Sequence, residues 1–173
     1  MKLIAAVDSK WGIGRNGRLL FSIPEDMKFF REQTTGKAVV MGYNTLLSLP
    51  GSKPLKNRTN IVLSRKPDLC IEGAYVCKSE NELFKLIRSG KDNINPDDVM
   101  IIGGAAVYSE LLPYCKEALI TKIAKDGDAD RFIPDLDADG DWTIVSESDV
   151  KEHSGLQFRF VKYTNSNVKN FLY

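Results

Sequence analysis

Short, nearly continuous runs of apolar residues alternate along the chain with segments whose apolar residues have helical spacing. Such runs, bounded by glycine, proline and polar residues, are typical of strands buried on both faces of a parallel sheet. Apolar residues three and four positions apart are typical of amphipathic helices. The pattern predicts strands at 2–8, 37–41, 58–63, 74–77, 99–102, 118–123, 142–145 and 157–163, helices at 24–34 and 79–89, and helical pieces ending at 49 and 112.

This order of elements predicts the fold class. Strands that alternate with helices indicate an α/β protein with a largely parallel sheet. The last predicted strand alternates polar and apolar residues, which is typical of an antiparallel strand. No repeat or linker divides the chain, so we predict one domain over residues 1–163. Residues 164–173 show no pattern and are predicted to form a C-terminal extension of unknown structure.

The helix predicted at 24–34 begins with a strong set of local features. Ser22 and Glu25 have the spacing of a capping box, in which two side chains bond the free N–H groups of the first turn. Pro24 suits that turn because its missing N–H has no partner there anyway. We therefore predict a helix that begins at Pro24 and is capped by Ser22.

Asp26 stands out within this helix. Met27 and Phe30 share a face, and Asp26 lies four residues before Phe30, so it is drawn toward the same apolar stripe. Burying an unpaired carboxylate costs several kcal/mol or forces its protonation. We therefore expect that a basic group of the protein or a ligand satisfies Asp26. The alternative is an ordinary helix acid that favours the macrodipole, although Glu25 already fills that role.

Polar and glycine residues follow several of the predicted strands. In such sheets ligands bind beyond the carboxyl ends of the strands. Arginine, lysine, hydroxyls and helix N-termini at one edge would suit phosphate, although strand ends are also where turns belong. The G-x-G in the loop at 9–19 is weak evidence of phosphate binding, because it lacks the third glycine and the helix start of a dinucleotide fingerprint. The alternative function of this loop is a mobile flap over a site, with the glycines as hinges. The residues concerned are Asp8, Gly42 to Thr45, Ser64, Arg65, Lys78, Gly103 and Gly104.

Composition narrows the class of protein. The chain has 173 residues, 43% hydrophobic and 27% charged, and a net charge of +1, which argues against nucleic acid or an anionic membrane as the main partner. Because the chain has a single histidine, His153, the composition argues against a His-based triad or a multi-His metal site, and we predict no metal. Three cysteines without paired spacing, no signal peptide and no membrane-length apolar run predict a cytoplasmic protein with reduced thiols.

Taken in order, the segments resemble the dihydrofolate reductase family over residues 3 to about 163. Each motif alone has modest specificity, but the series in this order and at these spacings is highly specific. The motifs are GIG at 12–14, FSIPEDMKFF at 21–30, VMGYNT at 40–45, SLP at 48–50, RTNIVLSR at 58–65, IIGGAAVY at 101–108 and DRFIP at 130–134.

The resemblance implies a fold and an activity. The fold would be a single three-layer domain, with a central, mostly parallel eight-stranded sheet, an antiparallel C-terminal strand and helices on both faces. The activity would be reduction of 7,8-dihydrofolate to tetrahydrofolate by hydride from NADPH, in one-carbon metabolism. The partners would be small molecules, namely dihydrofolate and antifolates, with no nucleic acid and no membrane, and the protein would be a monomer.

The resemblance also implies site residues, carried over position by position. Asp26 would hold the pterin ring through a two-point hydrogen bond, and Arg58 the glutamate tail. The catalytic positions would be Asp26, Phe21, Leu19, Tyr108 and Thr121. The substrate positions would be Ile4, Ala6, Asp26, Met27, Phe30, Leu49, Leu55, Arg58, Ile102 and Thr121. The NADPH positions would be Ala6, Ile13, Gly14, Leu19, Asn44, Thr45, Ser64, Arg65, Lys78, Ile102, Gly103, Gly104, Ala105, Val107 and Tyr108.

Three positions depart from the family pattern. The family usually has Pro-Trp where this chain has Leu20 and Phe21, and phenylalanine cannot donate the indole hydrogen bond. Many members carry an arginine for the cofactor's 2′-phosphate where this chain has Tyr43. Two alternatives stay open: a reductase of the same fold acting on a pyrimidine intermediate of flavin synthesis, and a degenerate pterin-binding module with a disabled flap.

Overall fold

The computed structural model describes residues 1–171 of the chain. Its strands are β1 (Lys2–Val7), β2 (Gly12–Gly14), β3 (Ala38–Gly42), β4 (Thr59–Leu63), β5 (Ala74–Cys77), β6 (Met100–Gly103), β7 (Glu117–Ile123), β8 (Arg131–Phe132), β9 (Trp142–Glu147), β10 (Lys151–His153) and β11 (Leu156–Asn165). Its α-helices are α1 (Pro24–Thr34), α2 (Tyr43–Ser48), α3 (Glu80–Arg88) and α4 (Ala105–Leu111).

A large mixed sheet forms the centre of the molecule. Eight strands follow the order β10-β11-β7-β1-β6-β3-β4-β5, and β9 pairs with β11 off this path. The strands from β7 to β5 in this order run parallel, whereas β11 is antiparallel to β7 and carries both β9 and β10 on its other edge. The predicted mostly parallel sheet with an antiparallel C-terminal strand is confirmed.

Helices cover both faces of this sheet, which confirms the predicted three layers. Successive side chains of a strand point to opposite faces. On β1, Leu3 therefore joins a core cluster with Leu83 of α3 and Leu111 of α4. Ile4, the next residue, joins a second cluster with Leu46 of α2, against which the partly buried Phe30 of α1 packs.

Helix α1 has the predicted bounds but not the predicted cap. Pro24 occupies the first turn, yet the N-cap residue is Ile23 and no side chain caps the helix. Ile23 is buried in a cluster with Ile123 and Phe158, so packing of this side chain decides where the chain enters the helix. The capping box predicted from Ser22 and Glu25 is therefore wrong, and Ser22 is exposed.

The segment predicted as a loop at 9–19 contains the short strand β2. It pairs antiparallel with β8, which the sequence pattern also did not predict. Gly12 lies at this contact, where an added Cβ would come within 2.3 Å of the Ala129 side chain. Glycine has low strand propensity, so local pattern hides a strand that exists only because a distant segment lies close to it.

The C-terminal segment continues the sheet and then packs on the core. Strand β11 runs through Asn165 and so crosses the predicted boundary between residues 163 and 164. Beyond the strand, the Lys169 N–H donates to the Pro113 carbonyl at 2.8 Å. Phe171 packs against Phe84 and Tyr114, with ring centroids 5.0 and 6.3 Å apart. Residues 172 and 173 of the predicted extension lie outside the described part of the chain.

Further findings concern membrane-spanning helices, metal-binding clusters and the state of the cysteines. Within residues 1–171, no helix is long and apolar enough to cross a membrane, and no cluster of histidine, cysteine or acidic side chains could hold a metal ion. The three cysteines are free, with Cys77 and Cys115 buried and Cys70 exposed. Burial raises the pKa of Cys77 to about 11 and that of Cys115 to about 12, so both buried groups stay thiols at neutral pH.

Candidate active site

A cleft of about 970 Å³ opens at the carboxyl ends of the parallel strands. Its walls come from the residues that follow β3, β4, β5 and β6, from the end of β1 and from the segment at 13–19. This is the edge of the sheet at which the sequence predicted a ligand site. Asp8 is the exception, because it does not line the cleft.

Every residue predicted for NADPH lines this one cleft. The set comes from six separate stretches of the chain, which the parallel strands bring to a common edge. It consists of Ala6, Ile13, Gly14, Leu19, Asn44, Thr45, Ser64, Arg65, Lys78, Ile102, Gly103, Gly104, Ala105, Val107 and Tyr108.

The paired glycines after β6 lie directly against Thr45. A Cβ on Gly104 would come within 3.2 Å of Thr45 Oγ1, and one on Gly103 within 3.4 Å. Gly103 also has a φ of 129°, a conformation that side chains other than glycine rarely adopt. Gly103 and Gly104 line the cleft without side chains of their own, so a bound group can approach their backbone closely. This arrangement fits an extended dinucleotide.

Asp26 meets its partner on the sheet. The Thr121 hydroxyl of β7 donates to Asp26 Oδ1 at 2.6 Å, and Thr121 is only 1% exposed. Desolvation raises the pKa of Asp26, and the hydrogen bond from Thr121 acts in the opposite direction. Within residues 1–171 no cation forms an ion pair with Asp26. The carboxylate is half-buried with one hydroxyl partner, so most of its hydrogen-bonding capacity is left for a ligand.

Tyr108 links the cleft to the strand beside Asp26. Its ring lines the cleft, and its buried hydroxyl donates to the Ile4 carbonyl of β1 at 2.6 Å. Desolvation strongly raises the pKa of Tyr108, and the charge of Asp26 acts in the same direction. Tyr108 therefore stays a neutral phenol whose position is fixed by the sheet.

The residues predicted to line the folate slot fall into three groups. Ala6 and Ile102, which were predicted for both ligands, line the cleft. Ile4 and Ile102 belong to the core cluster against which Phe30, Leu49 and Leu55 pack while partly buried. Met27 is 49% exposed, so the protein itself does not cover this part of the helix stripe, contrary to the buried face predicted for it.

Arg58 lies at the C-terminal end of α1 and not in the cleft. Its Nε and Nη2 donate to Thr34 Oγ1 at 3.3 and 3.1 Å, and its Nη1 donates to the Lys56 carbonyl at 2.7 Å. Desolvation lowers the pKa of Arg58, with a smaller contribution from the charge of Arg31. These contacts hold the guanidinium in one orientation, since Thr34 is itself fully buried.

The segment at 9–19 is tied to the segment at 125–133 across the mouth of the cleft. Asp8 Oδ1 accepts from the Gly12 N–H at 2.7 Å and Asp8 Oδ2 from the Gly127 N–H at 3.0 Å. Farther along, Arg15 pairs with Asp128, and the Asn16 N–H donates to Asp130 Oδ2 at 3.0 Å. The Asp8 carboxylate therefore holds the segment at 9–19 in place. The sequence predicted Asp8 at the ligand edge, but it does not line the cleft.

The two other residues predicted to be catalytic occupy different surroundings. Leu19 lines the cleft and is 67% exposed. Phe21 packs against the buried cluster of Ile23, Ile123 and Phe158, close to Gly127. Phe21 thus anchors the end of the segment, while Leu19 is available to a ligand.

Sequence reasoning missed several charged residues that line the cleft. Lys66 follows Arg65 directly, and its ammonium lies 4.3 Å from the centroid of the Tyr43 ring. Glu80, at the start of α3, and Arg131, in β8, also line it. The run of basic residues after β4 was the only sequence signal for Lys66. Nothing local indicated Glu80 or Arg131.

The fold and the site together define an α/β protein with a long cleft at the carboxyl ends of its parallel strands. The half-buried Asp26 and its partner Thr121 do not line this cleft, but Tyr108, whose pKa the charge of Asp26 helps to raise, does. A family model described as dihydrofolate reductase matches residues 1–165. The dihydrofolate reductase of Bacillus subtilis is 32% identical over 169 residues, covering 96% of this chain and 95% of its own. The Sus scrofa enzyme is 33% identical over 184 residues, covering 96% and 98%.

A solved structure agrees with these sequence matches. Dihydrofolate reductase from Enterococcus faecalis, complexed with NADP(H) and RAB-propyl, has a TM-score of 0.80 and 30% identity, covering 95% of each chain. The chain belongs to the dihydrofolate reductase family, an NADPH-dependent class of oxidoreductase.

Proposed function

We propose that this protein reduces 7,8-dihydrofolate to 5,6,7,8-tetrahydrofolate with hydride supplied by NADPH. The observation that carries the proposal is the hydrogen-bonded pair of Asp26 and Thr121, together with the cleft that Gly103 and Gly104 line. A half-buried carboxylate can accept two hydrogen bonds from a ligand that has adjacent N–H groups. A stretch of glycine backbone along the cleft leaves room for an extended cofactor to bind.

Asp26 is proposed to bind the pterin ring. One carboxylate can accept two parallel hydrogen bonds from the N3 and 2-amino groups, and such charge-assisted pairs are short and strong. The hydroxyl of Thr121 occupies one lone pair of Oδ1 and fixes the orientation of the carboxylate. Because the negative charge is partly desolvated, it favours a protonated pterin, which is the better hydride acceptor.

The proton at the ring nitrogen is proposed to arrive through water. Asp26 binds the pterin edge that carries N3 and so cannot touch the reducible ring nitrogen. The Tyr108 hydroxyl stays protonated and donates a hydrogen bond to the Ile4 carbonyl. Tyr108 therefore forms a wall of the site and does not act as an acid. Leu19, which lines the cleft from the segment at 9–19, is proposed to limit the access of further water.

The two ends of the ligands are proposed to meet basic side chains. Arg58, held by Thr34, would bind the carboxylate of the glutamate tail. Arg65 and Lys78, which line the far end of the cleft, would bind the 2′-phosphate of the cofactor. Ile4, Ala6, Met27, Phe30, Leu49, Leu55 and Ile102 are proposed as the apolar walls of the folate slot.

The wider setting is proposed on the same basis. We infer a cytoplasmic monomer in one-carbon metabolism, with antifolates as inhibitors and no nucleic-acid or membrane partner, supported by the net charge of +1. We keep residues 1–163 as the proposed reductase domain and residues 164–173 as an extension. Its first two residues continue β11 and its Phe171 packs on Phe84.

The deciding experiment is steady-state oxidation of NADPH by the purified chain with and without dihydrofolate. We expect oxidation that depends on dihydrofolate and is blocked by a folate analogue. Tight binding of the analogue without turnover would instead support a degenerate pterin-binding module. A chain that neither binds nor reduces folates, but oxidises NADPH with a pyrimidine intermediate of flavin synthesis, would overturn the assignment in favour of that enzyme.

A further inference from the structure

The chain beyond β11 is fastened to the segment that follows α4. Asn165 Nδ2 donates to the Cys115 carbonyl at 3.1 Å, and the Lys169 N–H donates to the Pro113 carbonyl at 2.8 Å. Phe171, two residues further on, is only 9% exposed. Two hydrogen bonds to neighbouring backbone carbonyls give this segment a defined course. The position of the Phe171 ring is therefore set by the chain that leads to it as well as by its own packing.

Phe171 completes a cluster of three aromatic rings. Its ring centroid lies 5.0 Å from that of Phe84 in α3 and 6.3 Å from that of Tyr114, which ends a 3₁₀ turn directly after α4. The rings of Phe84 and Tyr114 are themselves 4.8 Å apart in an edge-on arrangement. Each ring thus touches the other two, at separations that favour aromatic pairs. Phe171 therefore joins α3 to the end of α4.

This aromatic cluster lies about one helical turn behind two walls of the cleft. Phe84 follows Glu80 by four residues in α3, and residues four apart lie on the same face of a helix. Glu80 lines the cleft, as does Lys78 just before the helix. On the other side, Tyr114 follows Glu110 by four residues, and Glu110 of α4 also lines the cleft. A shift of α3 relative to α4 would therefore move cleft residues on both walls.

The two walls belong to the part of the molecule that is proposed to hold the cofactor. Lys78 precedes α3 and Val107 lies in α4, and both line the cleft. The proposed partners of the pterin lie elsewhere, because Asp26 is in α1 and Thr121 in β7. A site whose walls are held in place before binding loses less conformational freedom when its ligand binds. A cluster that only stabilised the fold would affect both ligands alike, whereas one that fixes these walls affects the cofactor first.

We propose that Phe171 is a positioning residue for the cofactor, whose ring holds α3 against the end of α4 and so keeps the two walls of the cleft correctly spaced. Phe171 does not itself line the cleft and acts through Phe84 and Tyr114. The inference rests on the proposed function, because it assumes that the cleft binds a nicotinamide dinucleotide. It gives a role to the C-terminal extension, for which the sequence pattern predicted no structure.

The test measures binding without turnover. Dissociation constants of NADP⁺ and of a folate analogue are measured separately by calorimetry for the wild type and for Phe171→Ala. We expect Phe171→Ala to weaken NADP⁺ by about 10-fold, which corresponds to about 1.4 kcal/mol, and the folate analogue by less than about twofold. Phe171→Leu fills much of the same space and should keep most of the affinity for NADP⁺.

The chain provides a matched control. The ring of Phe29 in α1 packs against that of Phe160 with centroids 4.4 Å apart, and Phe29 does not line the cleft. Phe29→Ala makes the same truncation in an aromatic pair, so it should lower the Tm, as Phe171→Ala does, but leave the affinity for NADP⁺ unchanged. If Phe29→Ala weakened NADP⁺ as much as Phe171→Ala, general destabilisation would explain the loss and the inference would be overturned.

A second variant tests the same cluster from the side of α4. Tyr114→Leu should also weaken NADP⁺ more than the folate analogue, and it decides the question if Phe171→Ala does not fold. Unchanged affinity for NADP⁺ in the folded variants, or equal weakening of both ligands, would overturn the inference. The proposed function fails differently: the wild type would then not oxidise NADPH with dihydrofolate, whatever its affinity for NADP⁺.

Discussion

Asp26 and Lys66 are charged side chains in two different regions of the molecule, and they differ in their exposure to water. Asp26 is half-buried against a hydroxyl that is itself 1% exposed, and desolvation raises its pKa. Lys66 is exposed on the face of an aromatic ring. Charge interactions are several times stronger where water is excluded than at a surface. The comparison therefore predicts that Asp26 governs rate, whereas the exposed cation Arg65 governs selection between cofactors.

The largest effect is expected at Asp26. Asp26→Asn keeps the size of the side chain but removes the charge that favours a protonated pterin. We expect catalysis at neutral pH to fall by about 10²–10⁴-fold, the range for losing a positioned acid–base group. The rate should recover in part at lower pH, because the substrate then arrives already protonated. A near-wild-type rate at neutral pH would contradict the role of Asp26.

Arg58 should give the next largest effect. Arg58→Leu removes the proposed partner of the glutamate tail. Because the guanidinium is only half-buried, we expect the affinity for folates with a tail to fall by about 2 kcal/mol, or roughly 30-fold. Antifolates without a tail should bind almost as before. Arg88→Leu, at the end of α3 on the other face of the sheet, is the control of equal charge. Equal losses for both classes of ligand would mean that Arg58 supports α1 through Thr34 and does not bind the tail.

The exposed end should give a smaller and salt-sensitive effect. We expect the wild type to prefer NADPH over NADH by roughly 10–100-fold in catalytic efficiency, at about 1.4 kcal/mol per decade. Arg65→Ala should reduce the ratio and Tyr43→Arg should widen it, although the second change also removes the ring under Lys66. Both effects should weaken at high salt. If Arg65→Ala leaves the ratio unchanged, the phosphate is bound elsewhere in the cleft.

The smallest effect concerns the free energy of unfolding, and we expect it at Asp26 but not at Lys66. The pKa of Asp26 is raised in the folded protein, so its ionisation destabilises the fold at pH values above the folded pKa. Asp26→Asn should therefore increase the free energy of unfolding at neutral pH, and the gain should disappear in acid, where Asp26 is protonated in both states. Lys66→Gln should change stability little at any pH. Denaturant unfolding at several pH values measures both, and a gain for Asp26→Asn that persists in strong acid would contradict this origin.

Much of the fold was predictable because it depends on neighbours in the chain. Pro24 and the apolar spacing after it predicted α1 at its observed bounds, and the apolar run at Ala74–Cys77 predicted β5. The helix predicted at 79–89 is α3, which Ser79 caps by accepting from the Glu82 N–H at 3.3 Å and which Gly90 follows with a φ of 64°. Proline, glycine and short polar side chains act on backbone groups within a few residues, so sequence is enough to locate their effects.

The sequence also identified Asp26 as a carboxylate on an apolar stripe, and the family resemblance named Thr121 as a catalytic and substrate position. The 2.6 Å hydrogen bond, between residues 95 positions apart, exists only because β7 lies where α1 can reach it. The same holds for the pairing of β2 with β8, for the burial of Ile23 that replaced the predicted cap, and for Lys66 on Tyr43. Local pattern determined which segments are helix or strand, because backbone preferences are set by adjacent residues. Tertiary structure decided which side chains meet and how much water surrounds them, because those depend on segments that only folding brings together.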